Sequence, residues 1–238
     1  YLKLFLLVEN LEIIGIMHGS GYGQFINHIT EDFEKKISDR YIYWFPFDGN
    51  KFIGRFSLNN KLNSKISKVF WIGKSNFNEF DMIDLPDQYI HQQKQDHLAH
   101  IDQKLFNIKN LYFVKGKTKN KTIWLPTFTK IFSKSIKIDT QINNQKDILI
   151  FDCISQSLMY FAIKFKIPFI IIIHEDGISN IKGLKNKYID FCLKLQKEEI
   201  IFNYKEIDKV YDKIIFLKDN KNYKLEKQKL SNIFNKFN

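Results

Sequence analysis

The chain has 238 residues, 44% hydrophobic and 16% aromatic, which supplies a sizeable core and excludes a disordered polymer. Its 37 basic and 26 acidic residues leave a net charge of +11, a balance that suits polyanions, although the lysines are scattered and only part of the excess asks for an anionic partner such as an anionic membrane surface. The longest strongly apolar run, Ile167–Ile173, is far short of the ~20 residues that span a bilayer, and Cys153 and Cys192 lack metal-site spacing, so the composition reads as a reduced, cytoplasmic protein.

Tyr1–Val8 reads as the middle of an element, so the sequence is expected to continue on its amino-terminal side. Short apolar runs then predict strands at Leu11–Met17, Tyr41–Trp44, Lys68–Ile72, Leu111–Val114, Asp147–Phe151, Ile167–Ile173 and Glu199–Phe202. Most are continuous rather than alternating, the pattern of strands covered on both faces in a parallel sheet. Helical patterns lie between them. One opens at Thr30, a capping residue followed by acids in the first turn. Others cover Pro86–Phe106, Ser155–Phe165, Asn186–Gln196 and Tyr204–Lys213, with a basic helix at Tyr223–Phe237. This alternation predicts an α/β fold with a Rossmann-like, doubly wound parallel sheet. The polar stretch Asn59–Ser67 marks a boundary, with the end of one Rossmann-like domain in residues 1–64 and a second in 65–238.

The sharpest local signal is His18-Gly-Ser-Gly-Tyr-Gly23, directly after the first strand. Glycines at 19, 21 and 23 let backbone amides point inward around an anion, at the strand end where open α/β sheets place ligands. The spacing is not that of the dinucleotide fingerprint. His18 is suited to be a general base or a hydrogen-bond donor to phosphate; the plainer alternative is a tight turn with its histidine satisfied. Asp39 is a candidate to orient His18 or hold the loop, or serves only as a cap or turn residue. Glu175 and Asp176, in the turn His174-Glu-Asp-Gly after the sixth strand, are candidates for sugar or ribose hydroxyls, or a solvated turn. His91, His97 and His100 share one predicted helix, and a solvated polar face is the simpler account of them than a metal site.

The run from His18-Gly-Ser-Gly-Tyr-Gly through Glu31-Asp-Phe-Glu34, Ser38-Asp39-Arg-Tyr41 and Trp44 resembles bacterial surface-carbohydrate (lipopolysaccharide and capsule) transferases of GT-B type, similar in logic to the CDP-glycerol glycerophosphotransferase group. Asp152, Ser155, Ser157, the following helix and Lys166-Ile-Pro168 extend the likeness, as does the closing Tyr204-Lys-Glu-Ile-Asp segment. The resemblance implies a GT-B fold and metal-independent transfer of a sugar or polyol phosphate from a nucleotide sugar or CDP-polyol donor to a glycan or lipid-linked acceptor. No cofactor and no nucleic-acid partner are implied. His18 would be the acceptor-side base, helped by Asp39. Gly19, Ser20, Gly21, Tyr22, Gly23, Lys115, Lys117, Asp152, Ser155, Ser157 and Glu175 would face the donor and its phosphates. The chain departs from the pattern where Tyr160 and Phe161 occupy a helix that usually carries Glu, at Ser20 in place of a glycine, and at Lys115 or Lys117 in place of an arginine. A degenerate partner or scaffold protein is therefore one competing reading, and a nucleic-acid-binding module, motivated by the charge, is another.

Overall fold

A computed structural model describes residues 11–17, 22–43, 67–72, 97, 99–101, 103–115, 136–137, 142, 145–154 and 157–235. Among the described residues, eight strands fall in two sheets. β1 (Ile14–Ile16) and β2 (Arg40–Ile42) form a parallel pair, joined through helix α1 (Ile29–Ile37). β3 (Val69–Ile72), β4 (Leu111–Lys115), β5 (Ile136–Lys137), β6 (Ile148–Phe151), β7 (Phe169–Ile173) and β8 (Ile201–Asn203) form a six-stranded sheet in the order β5-β4-β3-β6-β7-β8. Every pairing in it is parallel. The chain starts in the middle, moves to one edge, returns, and runs to the other. That is the order of a doubly wound sheet, with its reversal between β3 and β6.

The continuous apolar runs now have their physical cause. Alternate residues of each strand enter two separate cores. Phe70, Leu149, Phe151, Phe169 and Ile171 pack with α2 (Ser157–Phe165), α3 (Asn186–Lys197) and the end of α5 (Asn220–Asn235). Val69, Trp71, Ile148, Ile150, Ile170 and Ile172 pack on the other face, against Ile101 and Leu105, both helical, and against α4 (Ile207–Lys218). With both faces covered, no position in β6 or β7 needs to be polar, and all nine residues are buried.

Local differences from the sequence expectation are small but informative. α1 begins one residue before Thr30, and its cap is His28, whose Nδ1 accepts from the Glu31 amide. β5, two residues long, was not expected. Asn203 caps the turn Tyr204–Glu206 that leads into α4, with Glu206 completing a reciprocal pair. Gly15 lies so close to Ser38 and Tyr41 that any Cβ would strike them, which brings α1 and β2 tight onto β1. The expected strand continuation to Trp44 and the boundary at 59–66 lie outside the described residues. No helix among those described is long and apolar enough to cross a membrane.

Candidate functional site

β1 delivers Met17, which is buried and bonds through its amide to the Ile42 carbonyl. His18, Gly19, Ser20 and Gly21 lie outside the described residues; Tyr22 and Gly23, the far half of the glycine loop, are buried. Gly23 has φ of 74°, a left-handed backbone that favours glycine. α1 holds this half of the loop. The Gly23 amide donates to Glu31 Oε2 at 2.8 Å, and the Tyr22 hydroxyl to Glu34 Oε1 at 3.0 Å.

Glu31 is the centre of this arrangement, with no solvent exposure. Its Oε1 accepts from the Tyr43 hydroxyl at 2.6 Å and pairs with Lys35 at 2.9 Å and Lys185 at 3.4 Å. Burial disfavours the charge, but the Tyr43 hydroxyl, the Gly23 amide, Lys35 and Lys185 outweigh it and hold the carboxyl at about 2. The same environment pushes the Tyr43 phenol up to about 12, burial being the main cause. Glu34 accepts the Tyr41 hydroxyl as well, at 2.7 Å. Glu31 is a brace, kept ionised, rather than a group poised to exchange protons near neutrality.

Beyond Gly23 the chain crosses to the large sheet. The side-chain amide of Gln24 donates to the Tyr160 hydroxyl in α2. The Lys185 amide donates to the Gln24 carbonyl and the Ile26 amide to the Gly183 carbonyl, both at 2.7 Å, with Phe25 and Leu184 forming a bridge between them. The glycine loop therefore ends against α2, which follows β6, and against residues 183–185, which follow β7. Both contacts are beyond the carboxyl ends of strands in the six-stranded sheet.

Asp152 stands directly after β6, buried, beside the reversal of strand order between β3 and β6. Ser157 opens α2, and Lys115 closes β4 at the same edge. Glu175 lies in the turn after β7, where its carbonyl accepts from Asn203 Nδ2 at 2.6 Å. Asp176 pairs with Lys205 at 2.6 Å on the surface. Next to them His97 stacks on Tyr204, with ring centroids 3.4 Å apart, and lies parallel to His174 at 5.9 Å. Lys117 and Ser155 lie outside the described residues. Asp39 is placed differently from the rest. Its carboxylate accepts the Ile13 amide at 2.8 Å, at the amino edge of the small sheet, whereas Met17 leads into the loop at the carboxyl edge. The structure thus gathers the loop end, Asp152, Ser157 and the Glu175 turn on the carboxyl side of their strands, and leaves Asp39 on the other.

Sequence reasoning did not find Glu31, Tyr43, Gln24, Tyr160 or Lys185 as parts of this site. Glu31 entered as a helix acid and as part of the run that carries the resemblance, without a role of its own, and Tyr160 only as a departure from a pattern. The available signal was the two-residue spacing of Tyr41 in β2 and Tyr43 directly after it, which aims two hydroxyls at the two glutamates of α1. Comparison of the chain with family models, with curated proteins and with solved structures returns no match.

Proposed function

We propose that the chain is a GT-B-type transferase of surface polysaccharide assembly, which moves a sugar, or a polyol phosphate, from a nucleotide-activated donor to a glycan or lipid-linked acceptor hydroxyl. The observation that carries this reading is the seating of the glycine loop's far end on α2 and on residues 183–185. The end of a glycine-rich loop meets a doubly wound sheet at the edge where such sheets place ligands, beside Asp152 at the reversal of strand order.

The chemistry assigned to these residues balances simply. His18 takes the proton of the acceptor hydroxyl, the acceptor oxygen bonds to the transferred group, and the bond to the nucleotide phosphate breaks. Negative charge then collects on the leaving phosphate. The amides of Gly19, Ser20 and Gly21, the amino end of α2 at Ser157 and the ammonium of Lys115 or Lys117 are the groups suited to compensate it, whereas the Gly23 amide is spent on Glu31. Asp152 and Glu175 are assigned to donor hydroxyls. Asp39 is assigned no catalytic part, because it is spent on the Ile13 amide at the opposite edge.

A specific observation favours a second reading, a non-catalytic relative. α2 carries no acid, and Tyr160 is spent on Gln24. Binding separates the two. The protein, its His18→Ala variant and its Asp152→Asn variant are titrated with a panel of nucleotide sugars and CDP-polyols while thermal unfolding is followed. A donor at a hundredfold over its Kd stabilises by about 2.7 kcal/mol. At least one donor should raise Tm in the wild type, with the rise lost in Asp152→Asn. No shift across the panel would leave the scaffold reading standing.

A further inference from the structure

Glu31 is shared by two lysines that hold it unequally. Its Oε1 accepts the Tyr43 hydroxyl at 2.6 Å and the Lys35 ammonium at 2.9 Å, with Lys185 Nζ third at 3.4 Å; its Oε2 accepts the Gly23 amide. A carboxylate oxygen has about two lone-pair sites, so the third donor on Oε1 is the loosest. Lys185 is 35% exposed, and among the described residues Glu31 is its one side-chain partner, which leaves N–H groups of its ammonium uncommitted. Its surroundings are basic. Residues 182–187 read Lys-Gly-Leu-Lys-Asn-Lys, and among the described residues no carboxylate other than Glu31 pairs with any of these lysines. α3 begins at Asn186 with no side-chain cap and no acid in its first turn. Cations there oppose the helix dipole, whereas an anion is favoured.

We propose that Lys185 is a phosphate-binding residue: its ammonium turns from Glu31 to the phosphates of the nucleotide-activated donor, while Lys35 stays on Glu31 as the permanent brace. On the transferase reading above, on which this assignment rests, the compensating ammonium moves from Lys115 or Lys117 to the end of the loop itself. Lys115 ends β4, two strands from β6 and three from β7. At ~4.8 Å per strand that is about 10–14 Å, more than a lysine side chain spans. Lys185 is tied to the loop end by its own amide, which donates to the carbonyl of Gln24, the residue after Gly23. It also follows β7 on the carboxyl side, where such sheets place ligands. The exchange leaves Glu31 with Tyr43, Gly23 and Lys35, so the loop stays braced when Lys185 departs. An ammonium facing phosphate oxygens forms the stronger, charge-assisted kind of hydrogen bond.

The test is calorimetric titration of the full chain with inorganic pyrophosphate, which carries the diphosphate but neither nucleoside nor sugar, in the absence of divalent cations. The wild type should bind it. Lys185→Gln should bind about tenfold or more weakly, the loss expected for a hydrogen bond between charged groups, while Lys185→Arg keeps the charge and stays within about threefold of the wild type. Lys187→Gln removes a neighbouring exposed charge and should cost no more than about threefold, because salt screens it. Lys35→Gln separates bracing from binding: it should lower Tm more than Lys185→Gln does, and pyrophosphate affinity less. In the wild type, pyrophosphate should protect Lys185 from an amine-acylating reagent more than it protects Lys182, read by mass spectrometry. No binding by the wild type, equal binding by Lys185→Gln, or a loss in Lys115→Gln or Lys35→Gln as large as in Lys185→Gln would overturn the proposal. Pyrophosphate binding that depends on Lys185, with no donor raising Tm, would sink the transferase reading alone; a donor that raises Tm, with pyrophosphate indifferent to Lys185, would sink this assignment alone.

Discussion

Glu31 is the residue on which the loop's geometry depends, and its charge state can be tested directly. Its ordinary value of 4.5 falls to about 2 in the folded protein, so folding favours the ionised form. The stabilisation is complete above the unfolded value and drains away as pH falls from about 4.5 toward 2. Glu31→Gln keeps the shape but only one acceptor oxygen, for Gly23 or for Tyr43, and removes the charge that faces Lys35 and Lys185. Both lysines are about a third exposed, at 37% and 35%, so water softens the loss. Urea unfolding at neutral pH should show a loss of about 1–3 kcal/mol. The gap between variant and wild type should shrink as pH drops through that window. A constant gap would mean that the carboxylate is not held ionised by these partners. Little of this residue's role was legible in sequence. The glycine spacing pointed to the loop, but what holds it is a set of side chains that, Lys35 apart, lie between eight and 154 positions away from their partners. Such contacts exist only after the fold is made.

At the scale of elements the sequence said more. Buried strands of a doubly wound sheet must be apolar at every position, and β3, β6 and β7 announced themselves for that reason. Two-residue β5 has no room for a pattern. The polarity of α1 was hidden differently: periodicity reveals that a stripe exists, not which way it faces, and the cap shifted from Thr30 to His28 because a ring nitrogen did the work of a hydroxyl. The start of α4 shows how an element can tie down a site. Asn203 accepts the Lys205 amide, donates to the Glu175 carbonyl, and pairs its own amide with Glu206. Asn203→Ala removes the cap and the tether together. Stability should fall by about 0.5–2 kcal/mol, typical of a lost cap. Amide exchange should accelerate in the 174–177 turn more than in α3, and unchanged exchange there would show that the tether does not order the turn.

For the whole molecule, the question is how the small sheet and the large one are joined, since the proposed site requires both. The joint among the described residues is Gln24–Lys185: one bridge, two backbone bonds, the Glu31–Lys185 pair and the buried bond from Gln24 to Tyr160. The side-chain bond is the separable part. Both residues are fully buried, and Gln24 Oε1 has no hydrogen-bond partner. Gln24→Leu leaves the Tyr160 hydroxyl without that donor, and Tyr160→Phe leaves the Gln24 amide without its acceptor. Each single variant should therefore cost about 1–3 kcal/mol, the penalty of stranding a buried polar group. Gln24→Leu/Tyr160→Phe strands neither and also removes the unsatisfied Oε1, so it should cost much less than the sum of the two, with a coupling of about 0.5–3 kcal/mol. Donor binding supplies the functional arm of the cycle. If the bond matters for aligning the glycine loop with α2, the double variant should be nearly as stable as the wild type yet bind donor more weakly. Strict additivity in the unfolding data would mean that the two side chains do not act as a pair, and that the sheets are joined by the 183–185 backbone, the Glu31–Lys185 pair and the apolar packing of Met17, Tyr22 and Tyr43.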